Sequence, residues 1–328
     1  MERPHGRHER DRRAALAERA ERFVQRVLIT DDLHRPRGSD RGLVGGLVAA
    51  RALVNQVSEG FGVVPHFITF ANEKGGTGKS TTAVHSAVAL AAQGRRVAAI
   101  DLDTRQRTLG RYLDNRAATI RRTGAELPMP AYATFDPAKD ASIEDVIDRI
   151  ANDADVVVLD TPGRDDPHSR AALIRADTLV TPINDSFVDL DLIGEVDAET
   201  YRVRRPSFYA ELVWNSRTQR AKAHGASVDW VVLRNRMQHI DARNKRRVGD
   251  ALAELSRRVG FRIIPGLGER VIYRELFPKG LTLLDLGQIE DAAISHIAAR
   301  QELREMIAGL ALPEPGESAA PRRAALAI

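Results

Sequence analysis

Between residues 66 and 312 the chain alternates two kinds of apolar pattern. Short continuous runs rich in β-branched residues occur at "HFITFA", "RRVAAIDLD", "ADVVVLDTPG", "ADTLVTPIN", "VDWVVLRNR" and "FRIIP". Runs of this kind predict strands buried on both faces. Between them lie stretches with helical spacing, such as "STTAVHSAVALAAQ", which Gly94 closes. Strands alternating with helices predict a doubly wound, mostly parallel α/β sheet with helices on both faces. Ligands of such sheets bind at the carboxyl ends of the strands.

The flanks read differently. Residues 1–65 open with the Arg/Glu-rich "MERPHGRHERDRRAALAERAERFVQR" and continue into "HRPRGSDRG", a linker composition. Leu16, Ala20, Phe23 and Val27 keep helical spacing. The segment is expected to be a basic N-terminal extension, flexible or partly helical. Residues 66–312 form the expected globular domain, and residues 313–328, rich in Pro and Ala, a disordered tail. The apolar run "GLVGGLVAA" stops at Arg51, well short of a bilayer span, and the first residues lack a secretory pattern. A cytoplasmic protein with no membrane partner is expected. The absence of cysteine excludes disulfides, thiolate zinc sites and cysteine-held iron–sulfur clusters.

The stretch "FITFANEKGGTGKSTT" nearly matches a phosphate-binding loop, but Glu73 stands where the first glycine belongs. Gly75, Gly76 and Gly78 let backbone N–H groups, that of Thr77 among them, turn inward, and a helix starting near Lys79 adds its positive end. Such a loop cradles phosphates. Lys79 is then expected at the β- and γ-phosphates, Ser80 on Mg²⁺ and Thr81 at the α-phosphate. Asp101 and Asp103 close the second strand, where carboxylates hold a Mg²⁺ shell, orient an attacking water or cap a helix. Asp160 follows an apolar strand as a Walker B acid, and the Pro-Gly turn after it suits a second switch. Arg164 is unusual in that turn. Asn235 ends another strand, and its amide suits either a base edge or a loop cap.

The net charge of +4 is unevenly spread. Residues 202–274 hold 17 Lys/Arg against 6 Asp/Glu, an excess that suits either a polyanionic partner or a solvated helix face. Within them "DARNKRRVGDALAELSRRVG" predicts a helix capped by Asp241 and ended by Gly260. Arg243 and Arg247 share a face, Lys245 and Arg246 lie alongside, and Leu252, Leu255 and Val259 form an apolar stripe. That face suits phosphate-backbone binding without sequence readout.

The loop "KGGTGKST" resembles the deviant Walker A motif of the ParA/MinD superfamily. There, a lysine at the position of Lys74 contacts the nucleotide across an ATP-dependent sandwich dimer. The resemblance implies ATP and Mg²⁺ as cofactors, with Lys74, Lys79 and Asp103 catalytic. It puts Asp101, with Ser80 and Asp160, on the metal side, Asp103 at the attacking water and Asn235 at the adenine edge. A narrower resemblance runs from about residue 66 to 312, carried by "IDLDTRQRT", "TPINDSFVDLDLIG", "DWVVLRNR" and "VIYRELFPKGLTLLDL". These blocks resemble the MipZ-type division-site regulators. The resemblance implies a slow, switch-type ATPase whose ATP-bound homodimer holds double-stranded nucleoid DNA non-specifically, with Arg243 and Arg247 at the DNA-binding positions. It also implies a ParB-type centromere-binding protein as polar partner, and inhibition of FtsZ polymerisation. A ParA-type partitioning ATPase is the alternative, and it lacks the "ELFPKGLTLLDL" block.

Overall fold

All six apolar runs form strands in the computed structural model: β1 (His66–Phe70), β2 (Val97–Asp101), β4 (Val156–Asp160), β5 (Thr178–Asn184), β8 (Asp229–Asn235) and β9 (Arg262–Pro265). With β3 (Ala131–Thr134) they make one parallel sheet, ordered β3-β2-β4-β1-β5-β8-β9. The structure describes residues 64–184, 187–197, 203–236, 242–286 and 294–314. The expected extension, the cap Asp241 and most of the expected tail lie outside them.

Three strands were not legible in the apolar pattern. β3 is a four-residue edge strand with no fully buried position, so it carries no continuous apolar run. β6 (Gly194–Val196) and β7 (Val203–Pro206) form a separate antiparallel ribbon, and each is too short and polar to register. Pro182 lies inside β5, past the last pair with β1 at Phe70↔Val180. Its carbonyl faces the β1 side, where Asn72 donates to it, so the missing N–H falls beyond the last β1 pair and leaves the ladder with β8 intact.

The helices are α1 (Lys79–Ala92), α2 (Thr108–Thr123), α3 (Ile143–Ile150), α4 (Pro167–Arg175), α5 (Phe187–Leu190), α6 (Phe208–His224), α7 (Ala242–Val259), α8 (Ile272–Leu276) and α9 (Ile294–Leu310). Strand residues alternate between the two faces of the sheet, where they join three clusters. Ile68, Phe70, Val156 and Val158 pack with α1, α2 and α9, while Phe67, Val157 and Leu159 pack with α3 and Ala172 of α4. Trp230 and Val232 join Val213 of α6 and Val248, Leu252 and Leu255 of α7. Each such side chain contributes about 1.5–3 kcal/mol on leaving water, so both sheet faces must be covered.

Strand register sets the chemistry along one edge. Phe70 and Asp101 both pair with Asp160, and Asn184 pairs with Asn235. The polar strand ends thus line up at the carboxyl side, where the glycine-rich loop also sits. The segment after β9 is locked onto α2: Asn115 donates to the Phe277 carbonyl at 3.0 Å, Thr119 to Lys279 at 2.7 Å and Tyr112 to Leu281 at 2.5 Å. Gly280 has φ 62° and lies so close that a Cβ there would sit 1.9 Å from the Arg116 nitrogen. Only glycine permits that approach. Among the described residues, no helix is long and apolar enough to cross a membrane.

Candidate functional site

The loop between β1 and α1 owes its shape to its glycines and to two asparagines. Gly76 and Gly78 take φ 77° and 89°, left-handed values that disfavour other residues. Asn72 accepts from the Lys74 N–H at 2.6 Å and donates to the Pro182 carbonyl at 2.6 Å. Asn235 donates to the Thr77 carbonyl at 2.8 Å and accepts from the Leu267 N–H at 3.1 Å. Its amide thus ties the loop to the end of β8, the loop-cap role left open by the sequence. One amide hydrogen and one lone pair stay uncommitted. Thr77 is buried, and its hydroxyl has no hydrogen-bond partner.

Charge collects beneath the loop. Lys79 is 7% exposed, and its ammonium donates to the Lys74 carbonyl at 3.0 Å. Burial lowers its pKa, with Asp160 and Asp103 acting in the opposite direction. Asp160 is buried, and neither carboxylate oxygen receives a hydrogen bond of regular geometry. Burial, then the neighbouring Asp101 charge, raise its pKa well above the carboxylate range, opposed by the Ser80 hydroxyl and the Lys79 ammonium. Two bare, buried carboxylate oxygens beside an alcohol fit a hard divalent cation such as Mg²⁺. Among the described residues no cluster of three or more acids or histidines gathers there. Magnesium suits that sparse set, since it takes one or two carboxylates and completes its shell with water and phosphate oxygens.

Asp101 is fully buried and accepts the N–H groups of Asp103 and Gly110, each at 2.9 Å. That geometry caps α2 and pins the loop before it. Burial raises its pKa, while those N–H groups favour the charged form. Asp103 is half-buried and accepts from the N–H groups of Arg105 and Gln106 at 3.1 Å. On the opposite side, a Cβ on Gly163 would lie 3.4 Å from the Lys79 ammonium, so the Pro-Gly turn closes directly over the loop. Arg164 lies 3.4 Å from Asp166, whose carboxylate caps α4 through the Ser169 N–H at 2.8 Å.

Three features escaped the sequence reading. Lys74 forms an ion pair with Asp189 of α5, a residue inside the quoted block "TPINDSFVDLDLIG" that carried no assigned role. Beside the loop opens a cavity of about 340 Å³, lined by Gly78, Thr81, Asn235, Leu267, Tyr273 and Phe277 among others. The block "VIYRELFPKGLTLLDL" therefore helps to form a wall of the cleft at the loop. Asn72 is the third, and its position two residues before the lysine was the available signal. On the other side of the sheet, Arg243, Lys245, Arg246 and Arg247 all fall in the first two turns of α7. Arg247 is exposed, and Val248, Leu252 and Leu255 bury the opposite face.

A parallel sheet, a glycine loop leading into a helix and a Walker B acid at an adjacent strand end define a P-loop nucleotide-binding ATPase fold. The solved structures agree on the fold. A plasmid partition protein of Borrelia burgdorferi bound to AMPPNP superposes with TM-score 0.51 at 15% identity, covering 75% of this chain and 99% of that one. The ATP complex of a McdA variant from Cyanothece gives 0.50 at 17% identity, covering 76% and 96%. In sequence, an ATP-binding protein of Methanocaldococcus jannaschii is 32% identical over 145 residues, covering 37% of this chain and 55% of that protein. The septum site-determining protein MinD of Helicobacter pylori is 27% identical over 164 residues, covering 42% and 61%. The chain thus spans little more than half the length of these two sequence relatives. The family profile of ATPase MipZ matches residues 66–314, and the chain belongs to that family, within the ParA/MinD superfamily.

Proposed function

We propose that the chain is an ATP-dependent dimerising switch that holds DNA non-specifically and restrains FtsZ polymerisation, so placing the division site. The observation that carries the reading is the C-terminal block, which belongs to the family match and helps to wall the cavity beside the phosphate loop. Gly75 to Thr81 bind the triphosphate, and Lys79 neutralises its β- and γ-oxygens. Ser80 and Asp160 would hold Mg²⁺, which would supply neutralisation of phosphate charge. Asp101 steadies the loop from which Asp103 orients the attacking water. Asn235 offers its uncommitted amide hydrogen and lone pair to the base. Lys74, at the rim, serves the nucleotide of a second copy. A ParB-type protein recruits the monomer towards the poles, and the dimer resides on the nucleoid.

Arg243, Lys245, Arg246 and Arg247 supply the DNA contact through phosphates alone. Replacing Arg243 and Arg247 together by Ala is expected to weaken duplex binding about equally on all sequences and to flatten its salt dependence, with dimerisation unchanged. Fluorescence anisotropy with ATP at several salt concentrations tests this. An unaltered affinity and slope would remove α7 from the DNA surface.

A further inference from the structure

The turn after β4 carries Arg164 and is anchored at both ends. At its start Thr161 donates to the Phe70 carbonyl, through its N–H at 3.1 Å and its hydroxyl at 3.0 Å. At its end Asp166 caps α4, Asp165 pairs with Arg170, and the Arg164 carbonyl accepts from the Ser169 hydroxyl at 3.4 Å. Between these anchors the backbone crosses the phosphate loop. A Cβ on Gly163 would lie 3.4 Å from the Lys79 ammonium and 3.5 Å from Gly75. The Arg164 side chain begins one residue past that crossing. It is 41% exposed, and its ion pair among the described residues is the 3.4 Å approach of its Nε to Asp166. Its guanidinium makes no hydrogen bond to any described residue. We propose that Arg164 is a catalytic residue, an arginine finger supplied in cis to the γ-phosphate of the nucleotide on its own loop.

The finger rests on the ATPase reading above and on where charge must be met. Hydrolysis breaks the bond from the γ-phosphorus to the bridging oxygen, which leaves with the electron pair on ADP. A water oxygen bonds to the phosphorus; one of its protons stays on the new phosphate and the other passes to solvent. Negative charge on the phosphate oxygens has to be stabilised as this happens. Lys79 meets it from within the loop, with Asp160 and Asp103 drawing on the same ammonium. A guanidinium suits the remaining charge, because its planar fork binds two phosphate oxygens at once. The tie of Arg164 to Asp166 is weak, since a long ion pair at an exposed side chain contributes little. Asp166 keeps its cap on the Ser169 N–H when the arginine leaves, so no carboxylate is left bare. The neighbouring Arg170 is already held by both oxygens of Asp165.

The test is steady-state ATP hydrolysis by the full chain, unaltered and as Arg164→Ala and Arg164→Lys. In Arg164→Ala, kcat should fall at least about a hundredfold with KM nearly unchanged, the signature of an interaction made only in the transition state. Arg164→Lys keeps the charge but loses the fork, and should recover less than about a tenth of the rate. ADP with aluminium fluoride, a mimic of the transferring phosphoryl group, should bind Arg164→Ala at least about tenfold more weakly, while ADP alone binds both proteins equally. Turnover within about threefold of the parent would overturn the finger. So would a fall in kcat accompanied by weaker ADP binding, weaker assembly with ATP or a lower melting temperature, which would make Arg164 a support for the turn. Should the unaltered protein bind ATP without hydrolysing it, the ATPase reading fails first and the finger falls with it.

Discussion

Arg116 and Asp285 form a bidentate ion pair sealed from solvent, with N–O distances of 2.7 and 2.9 Å and relative side-chain exposures of 0% and 2%. The guanidinium also donates to the carbonyls of Pro128 at 2.8 Å and Gly280 at 3.1 Å. The pair therefore fastens the C-terminal block to α2, the helix that follows Asp103. Asp285→Ala should destabilise the protein by about 3–5 kcal/mol, because a buried guanidinium is left without its counter-ion. Urea unfolding measures this, and a loss below about 1 kcal/mol would mean that water or a neighbour takes over the charge.

His85 of α1 lies between the rings of Tyr112 and Tyr273, with centroids 6.0 and 5.3 Å away. Burial lowers its pKa from 6.5 to about 4, against the opposing pull of the Thr81 carbonyl and the Asp285 charge, while Arg116 reinforces the drop. The native imidazole stays neutral where the unfolded chain takes up a proton. Its contribution to stability is complete above pH 6.5 and declines as pH falls towards 4, by about 3 kcal/mol in total. His85→Phe keeps a ring between the tyrosines and removes the titration. Its melting temperature should fall less steeply than that of the parent across that range, and parallel curves would contradict the assignment.

Two substitutions in the loop separate shape from charge. Gly78→Ala puts a Cβ 2.3 Å from the Asn235 amide at a φ of 89°, so it should lower both the melting temperature and nucleotide affinity. Lys79→Ala removes the buried ammonium while leaving the backbone path intact. It should abolish ATP binding in calorimetry with little loss of stability, since burial already disfavours that charge. Retained ATP affinity in Lys79→Ala would refute the phosphate-site assignment.

The central strands were legible because a strand buried on both faces must be apolar at every position, and Ile68, Val157 and Val232 obey that rule. The loop was legible because left-handed backbone demands glycine at Gly76 and Gly78. β3 was not, since an edge strand leaves side chains such as that of Ala131 in solvent and selects no pattern. Nor was Asp189: its pairing with Lys74 spans 115 positions in the chain, and only the folding of β5 beside β1 brings the two together. Asp101 illustrates a middle case. A carboxylate at a strand end was visible, but its use as a cap for Gly110 depends on where α2 returns.

The central claim is tested most directly by FtsZ assembly followed by light scattering with GTP. The protein is added with ATP in its Asp103→Ala form, so that the dimer persists. The account predicts loss of scattering in proportion to the dimer. Unchanged scattering, with ATP-dependent DNA binding intact, would contradict it and leave a partitioning ATPase as the reading.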